Sequence, residues 1–211
     1  MKKIFFDIET VPAEEEKTEL LHEIYQRKVE KYGSSRAGTF EEFVERTGLD
    51  GAFGRICCIG YAIDNGPVEA LSGDEKEILV KFWDIARDCS LFVGFNNMDF
   101  DLRFIYQRSV VHRVKPTQNL SFARYRNNPI FDCMHEWKKW DNASSISLHA
   151  ISKALGIPSP KEGDIEGKDV GKAFADGRIE EICEYCKRDV DVTREVYKRL
   201  TFNSEQSEIP F

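Results

Sequence analysis

The sequence predicts an α/β fold, a mixed five-stranded sheet flanked by helices, on three observations. Short apolar runs rich in Ile, Val and Phe cluster early around the turn signal Asn65-Gly66, then alternate with stretches of helical period. The 211 residues suit one domain with a sizeable core. No internal repeat or low-complexity stretch points to a solenoid or an array.

Lys3 to Glu9 reads as a buried strand that Val11-Pro12 ends. Residues 13–50 are polar and acidic and form a helical excursion from the sheet: Leu20, Leu21, Ile24 and Tyr25 suit one helix, and Thr39 with Glu42 caps a second. Arg55 to Ile63 and Val68 to Leu71 are the next strands, and Ser72 with Glu75 starts a helix bearing Ile78, Leu79, Phe82 and Ile85. Leu91 to Phe95 is the fourth strand, a helix runs from about Met98 to Val111, and Ile130-Phe131 is a short fifth strand. Helices near Ser147–Leu155 and Ile179–Leu200 follow, joined by a Gly/Pro/Lys-rich loop at 156–172. One domain therefore spans 1–202, and 203–211 is a tail.

Composition narrows the class. Forty-one per cent hydrophobic residues with abundant charge indicates a water-soluble globular chain, and no apolar run approaches the roughly 20 residues of a membrane span. Asp7 and Glu9 interrupt the N-terminal apolar stretch too early for a signal peptide, so the expected location is cytoplasmic. The six cysteines read as reduced, buried thiols; Cys183-x-x-Cys186 has no second pair at zinc spacing. A net charge of −7 argues against indiscriminate binding along nucleic acid. Between Leu102 and Phe131, however, there is no Asp or Glu, while Arg103, Arg108, Arg113, Lys115, Arg124 and Arg126 alternate with Tyr106, Phe122 and Tyr125. Such a stretch suits either a phosphate backbone with stacked bases or a plain solvated face.

Asp7 and Glu9 lie two apart on the first strand, so both leave the same face. Two acids on one face of an apolar strand are costly without a neutralising partner, and a divalent cation at the strand end would supply it. Asp101 opens the helix after the fourth strand, and Tyr185 lies one turn before Asp189 on the last helix.

Phe-Asp-Ile-Glu-Thr at 6–10, Phe-Asn-x-x-x-Phe-Asp at 95–101 and Tyr-Cys-x-x-Asp at 185–189 resemble the three motifs of DEDD-type exonucleases. The tyrosine marks the DEDDy branch, and the chain is similar to the proofreading exonuclease domain of family B DNA polymerases and its stand-alone relatives. The resemblance implies a ribonuclease H-like sheet, its first three strands antiparallel and the later two parallel to the first. It also implies two Mg²⁺ or Mn²⁺ ions held by Asp7, Glu9, Asp101 and Asp189, with Asp7 bridging and Asp101 reaching the second ion through water. Tyr185 would orient the attacking water, and the product would be a nucleoside 5′-monophosphate from a 3′ end. Single-stranded DNA is the favoured substrate, with RNA trimming of the ribonuclease D kind as the enzymatic alternative. A non-catalytic module that binds nucleic-acid ends is the other, although no metal ligand is lost.

Thr10, Asn96, Arg103 and Arg108 are candidate substrate contacts. Arg103 departs from the family, which often has proline there. Asp99 is expected to cap its helix and Asp132 to support structure, while His22, His112, His135 and His149 fall outside the motifs. No polymerase fits in 211 residues, so any proofreading would act in trans. In the tail, Gln206, Ile209 and Phe211 resemble the short peptides that dock bacterial sliding clamps.

Overall fold

In the computed structural model, strand β1 (Lys3–Val11) has both faces and both edges covered. The structure describes residues 1–141, 145–159 and 165–203. Gln206, Ile209 and Phe211, and with them the clamp peptide, lie outside the described residues. The other strands are β2 (Arg55–Ile63), β3 (Val68–Ser72), β4 (Leu91–Gly94) and β5 (Ile130–Asp132), in the sheet order β3-β2-β1-β4-β5. β1, β2 and β3 pair antiparallel, and β4 and β5 run parallel to β1, as expected.

Helices α1 (Thr18–Tyr32), α2 (Ser34–Ala37) and α3 (Phe40–Arg46) make up the excursion. The Thr39–Glu42 capping box forms, and Tyr25, Phe40 and Phe43 lock α1 to α3 through ring contacts. After β3 comes α4 (Glu75–Ile85), capped by Asp74 accepting from the Glu77 N–H rather than by Ser72, which still belongs to β3. α5 (Asp101–Val111) follows β4, α6 (Cys133–Trp137) follows β5, and α7 (Leu148–Ala154), α8 (Val170–Ala175) and α9 (Ile179–Leu200) complete the chain. α6 and α8 are too short for a helical period to reveal them in sequence.

Strand alternation divides the core into two layers. Ile4, Phe6 and Ile8 face α4 and α5, and Phe6 meets Phe82 of α4 and Phe92 of β4. Phe5 and Val11 point to the opposite face, covered by α9 and by α7 and α8 beside it. Asp7 and Glu9 share that second face, since they fall between Phe5 and Val11 in the same alternation. α9 buries Ile182, Cys186, Val190, Thr193 and Val196 along one stripe at three- and four-residue spacing.

Gly60 sets how closely α9 approaches. It pairs with Asp7 across β1 and β2, and its N–H donates to the Cys186 sulfur at 3.1 Å. A Cβ at position 60 would stand 3.0 Å from that sulfur, 3.1 Å from the Cys186 carbonyl oxygen and 3.1 Å from a Val190 methyl. One of these contacts is helix backbone, so relief requires moving α9 and with it Tyr185 and Asp189. We therefore expect Gly60→Ala to cost about 1–3 kcal/mol in urea unfolding and to lower activity out of proportion. Full stability and full activity in this variant would refute that reading of the approach.

Candidate active site

Four carboxylates meet where β1 ends beneath α9 and the start of α5. Glu9 is 8% exposed and Asp101 4%, while Asp7 and Asp189 are half-buried. Donor atoms of Asp7, Glu9 and Cys186 lie within 4.8 Å of one another. Burial raises the Asp7 carboxyl well above its usual range, and Asp101, Asp189 and Glu9 raise it further by repulsion. Burial does the same to Glu9, reinforced by Asp189 and Asp101. Asp101 is pushed up to about 7 and Asp189 to about 6, in both cases chiefly by burial. The structure thus brings together the four acids that the sequence singles out, and Tyr185 with them.

Each acid has its own restraint. Asp101 Oδ1 accepts the N–H of Ile8 at 3.1 Å, which ties the first residue of α5 to β1 between Asp7 and Glu9. Tyr185 lies one helical turn before Asp189, close enough for that carboxylate to act on its hydroxyl. Burial first, then the charges of Asp189, Glu9 and Asp7, hold the Tyr185 hydroxyl far above its ordinary pKa, so it acts as a neutral donor. The Cys186 thiol lies 3.4 Å from the Asp7 carbonyl oxygen and 3.6 Å from Oδ2. The register of β1 against β2 shifts between Glu9 and Thr10, leaving Cys57 as the extra residue of a bulge beside the site.

The donor set fits a hard divalent cation. All four acids offer oxygen, and Asp189 Oδ1 is buried with no hydrogen-bond partner. No Lys or Arg forms an ion pair with Asp7, Glu9, Asp101 or Asp189 among the described residues. Cys186 adds one soft donor that the sequence reading assigns only to the core.

A cleft of about 600 Å³ opens against Glu9 and Thr10. Its walls come from three parts of the chain: Glu45, Gly48 and Leu49 from the excursion, Phe100 before α5, and Gly167, Lys168, Gly171 and Lys172 at and just before α8. Leu49 is 72% exposed, and Lys168 and Lys172 are exposed at the rim. Of these residues only Phe100 belongs to a motif, and no sequence period connects 48, 100 and 168.

The substrate contacts named from sequence fare differently. Thr10 lines the cleft and donates its hydroxyl to the Gly48 carbonyl at 2.7 Å, holding the excursion against β1. Asn96 takes a left-handed conformation with φ of 62°, its N–H bound by Asp132 Oδ1 at 3.0 Å. Arg103 stays at the surface, with Nε donating to the Met98 carbonyl at 2.7 Å. Arg108 is a correction. It is 2% exposed, its guanidinium grips both Glu75 oxygens at 2.9 and 2.7 Å, and it is unavailable to a phosphate. Glu75 also accepts from the Ile56 N–H at 2.7 Å and bonds His112 at 2.6 Å. Burial alone would raise Glu75, but these bonds hold its carboxyl below the usual value.

Asp99 does not cap α5. It pairs with His135 Nε2 at 2.9 Å, and Phe100 occupies the cap position without a side-chain bond. Asp132 is structural as expected: it caps α6 and binds the Asn96 and Met98 N–H groups. That clamp holds residues 96–100 in turns and delays α5 to Asp101 rather than Met98.

A ribonuclease H-like sheet with acids contributed by β1, α5 and α9 defines the class as an exonuclease-like domain. The chain belongs to a family described as a predicted 3′-5′ exonuclease related to the exonuclease domain of PolB, matched over residues 56–208. Asp101, Tyr185 and Asp189 lie inside that segment; Asp7 and Glu9 precede it. An uncharacterized protein of Methanocaldococcus jannaschii is 30% identical over 166 residues, covering 74% of this chain and 92% of the relative. The family B DNA polymerase of Pyrobaculum calidifontis superposes with a TM-score of 0.67 at 16% identity, covering 95% of this chain. This chain spans 24% of that polymerase's length, and at this identity the likeness concerns the fold. No helix among the described residues is long and apolar enough to cross a membrane.

Two outcomes are expected. Arg108→Ala should lower stability by about 3–5 kcal/mol, because it strands the buried Glu75 charge, without changing the salt dependence of strand binding. A changed salt slope would return Arg108 to the substrate surface. The second outcome concerns pH. Asp101 and Asp189 titrate near 7 and 6 in the folded protein but near about 4 unfolded. The folded state thus binds more protons between about 4 and 7, so metal-free stability is full below this window and falls as pH rises through it. Manganese, which favours the ionised carboxylates, should raise the melting temperature more at pH 8 than at pH 5. An equal rise at both pH values would place the metal elsewhere.

Proposed function

We propose that this chain is a metal-dependent 3′→5′ exonuclease that releases nucleoside 5′-monophosphates, with single-stranded DNA as the leading substrate. The observation that carries the reading is the convergence of Asp7, Glu9, Asp101 and Asp189, with one buried oxygen unpartnered, at a cleft rimmed by lysines. Asp7, Glu9, Asp101 and Asp189 would hold two Mg²⁺ or Mn²⁺ ions. Bound there, such ions supply Lewis-acid stabilisation of the phosphate oxygens and lower the pKa of coordinated water.

The chain's own residues account for position and order. Tyr185, held protonated one turn before Asp189, presents a hydroxyl to orient an attacking water; it is too weak an acid to serve as a base. Lys168 and Lys172 offer positive charge at the cleft mouth for a phosphate backbone, and Leu49 and Phe100 offer apolar surface for a terminal nucleoside.

The test is a 5′-labelled strand with manganese or magnesium, run in parallel as single-stranded DNA, duplex DNA and RNA. A descending ladder that EDTA abolishes is expected. Asp7→Ala and Asp189→Ala should remove nearly all activity, and Tyr185→Phe should slow turnover by about 10²-fold with strand binding retained. First release of the 5′-terminal nucleotide would refute the polarity, and a Tyr185→Phe enzyme at the wild-type rate would refute water positioning. A ladder on RNA alone would favour the ribonuclease alternative.

A further inference from the structure

The cleft at the carboxylates continues away from them along α5. Leu49 and Phe100 line both the cleft and a smaller hollow of about 190 Å³, whose far side is Arg103 and Gln107. Those two residues in turn line a third cavity of about 490 Å³, closed by Tyr106, Leu120 and Phe122 above buried Trp83. Shared lining residues place the three hollows side by side along α5. The third is large enough for a small planar ligand and mostly apolar, with Gln107, Gln118 and Asn119 as polar groups at its wall.

Arg103 stands at the junction of the second and third hollows. Its guanidinium lies 5.7 Å from the centre of the Phe122 ring, and its Nε bond to Met98 fixes the arm in place. A cation stacked on a half-buried aromatic at a cavity wall is the arrangement that accepts a base face on one side and a phosphate on the other. Beyond Trp83 lies a further hollow of about 410 Å³ with exposed Lys76, Lys81, Arg113 and Lys115 at its edge. Lys76, Arg113 and Lys115 make no ion pair among the described residues, whereas Lys81 pairs with Glu77. Of the acids bordering the groove, Asp99 pairs with His135 and Arg103 and Asp84 with Arg87, Asp50 accepts the Ala52 N–H, and Glu45 at the cleft wall makes no ion pair among the described residues.

We infer that this groove is the track for the single strand upstream of its 3′ end, with a stacking cup for one unpaired base formed by Arg103, Tyr106 and Phe122. The inference rests on the exonuclease reading and adds where the rest of the strand lies. Two observations choose nucleic acid as the occupant: the hollows share lining residues with the carboxylate cleft, and unpaired Lys76, Arg113 and Lys115 stand at their far end. A base in the cup would require unpaired substrate, because a duplex cannot offer a base face to a pocket in the protein wall.

The experiment compares 5′-labelled oligothymidylates of about three and about twelve nucleotides, spanning one end of the groove or all of it. Binding is read by fluorescence anisotropy in EDTA, and degradation by gel with manganese. Wild-type protein should bind the long strand at least about fivefold tighter than the short one, the lower end of what one stacked base contributes. Phe122→Ala and Tyr106→Ala should each lose most of that ratio, and Phe122→Trp should keep it. Phe122 is half-buried and its truncation can harm folding, but Tyr106 is 52% exposed on α5, so Tyr106→Ala carries the test in that event. If both alanine variants retain the wild-type ratio while strands are still shortened from the 3′ end, the track is wrong and the exonuclease reading stands. If no strand is bound or degraded with either metal, the exonuclease reading fails and the track falls with it.

Discussion

Repulsion among buried carboxylates is the constraint around which this molecule is built. Asp7 and Glu9 sit on the central strand, on the face that α9 must cover to close the core. The sheet brings Asp101 to them from one side and α9 brings Asp189 from the other. Without compensation such a cluster pushes helices away from the strand. Its raised proton affinity records the burial of the acids first and their repulsion second, and a divalent cation is the partner that would offset both.

The rest of the fold holds the elements against this pressure with hydrogen bonds aimed at backbone. Ile8 donates to Asp101 between the two strand acids, so the start of α5 cannot drift from β1. Asp132 accepts four N–H groups, two from the 96–98 turn and two from α6, and fixes the turn that leads into Asp101. On the other face Gly60 removes the side chain that would keep α9 off the sheet. Glu75 and Arg108 perform a parallel task deeper in the core, where one buried pair links β2, α4, α5 and the carbonyl groups of residues 51 and 52. A buried pair of this kind is poor evidence for extra stability, yet removing either partner is costly, which makes it a registration device.

The excursion at 13–50 has a second use besides satisfying its own hydrogen bonds. Thr10 and Thr47 attach it to the end of β1, and Gly48 and Leu49 then become one wall of the cleft. Its helices pack largely on one another through aromatic rings, so the insertion adds a wall without disturbing the sheet. The opposite wall, with Lys168 and Lys172, is set by α8 resting on β1 and α9.

Much of this was legible in the residues alone. Alternation of apolar positions in β1, the Asn65-Gly66 turn and the long stripe of α9 follow from local geometry, and so do the sheet, its flanking helices and the shared faces of Asp7 with Glu9 and of Tyr185 with Asp189. These features depend on spacings of two and four residues, which backbone periodicity fixes without knowledge of distant contacts. Arg108 shows where such reading stops. A run of cations without acids looked like a single basic face, but helical geometry turns Arg108 inward to Glu75, 33 positions away, while Arg103 and Tyr106 on the same helix remain outside. Asp99 likewise had a good cap's sequence position and found His135 instead. The cleft walls, the close passage of α9 over Gly60 and the aromatic groove along α5 join residues dozens of positions apart. Local spacing determined the sheet, the helices and the acids; only packing decided which charges are buried against partners and which face the strand, because burial is a property of the assembled layers.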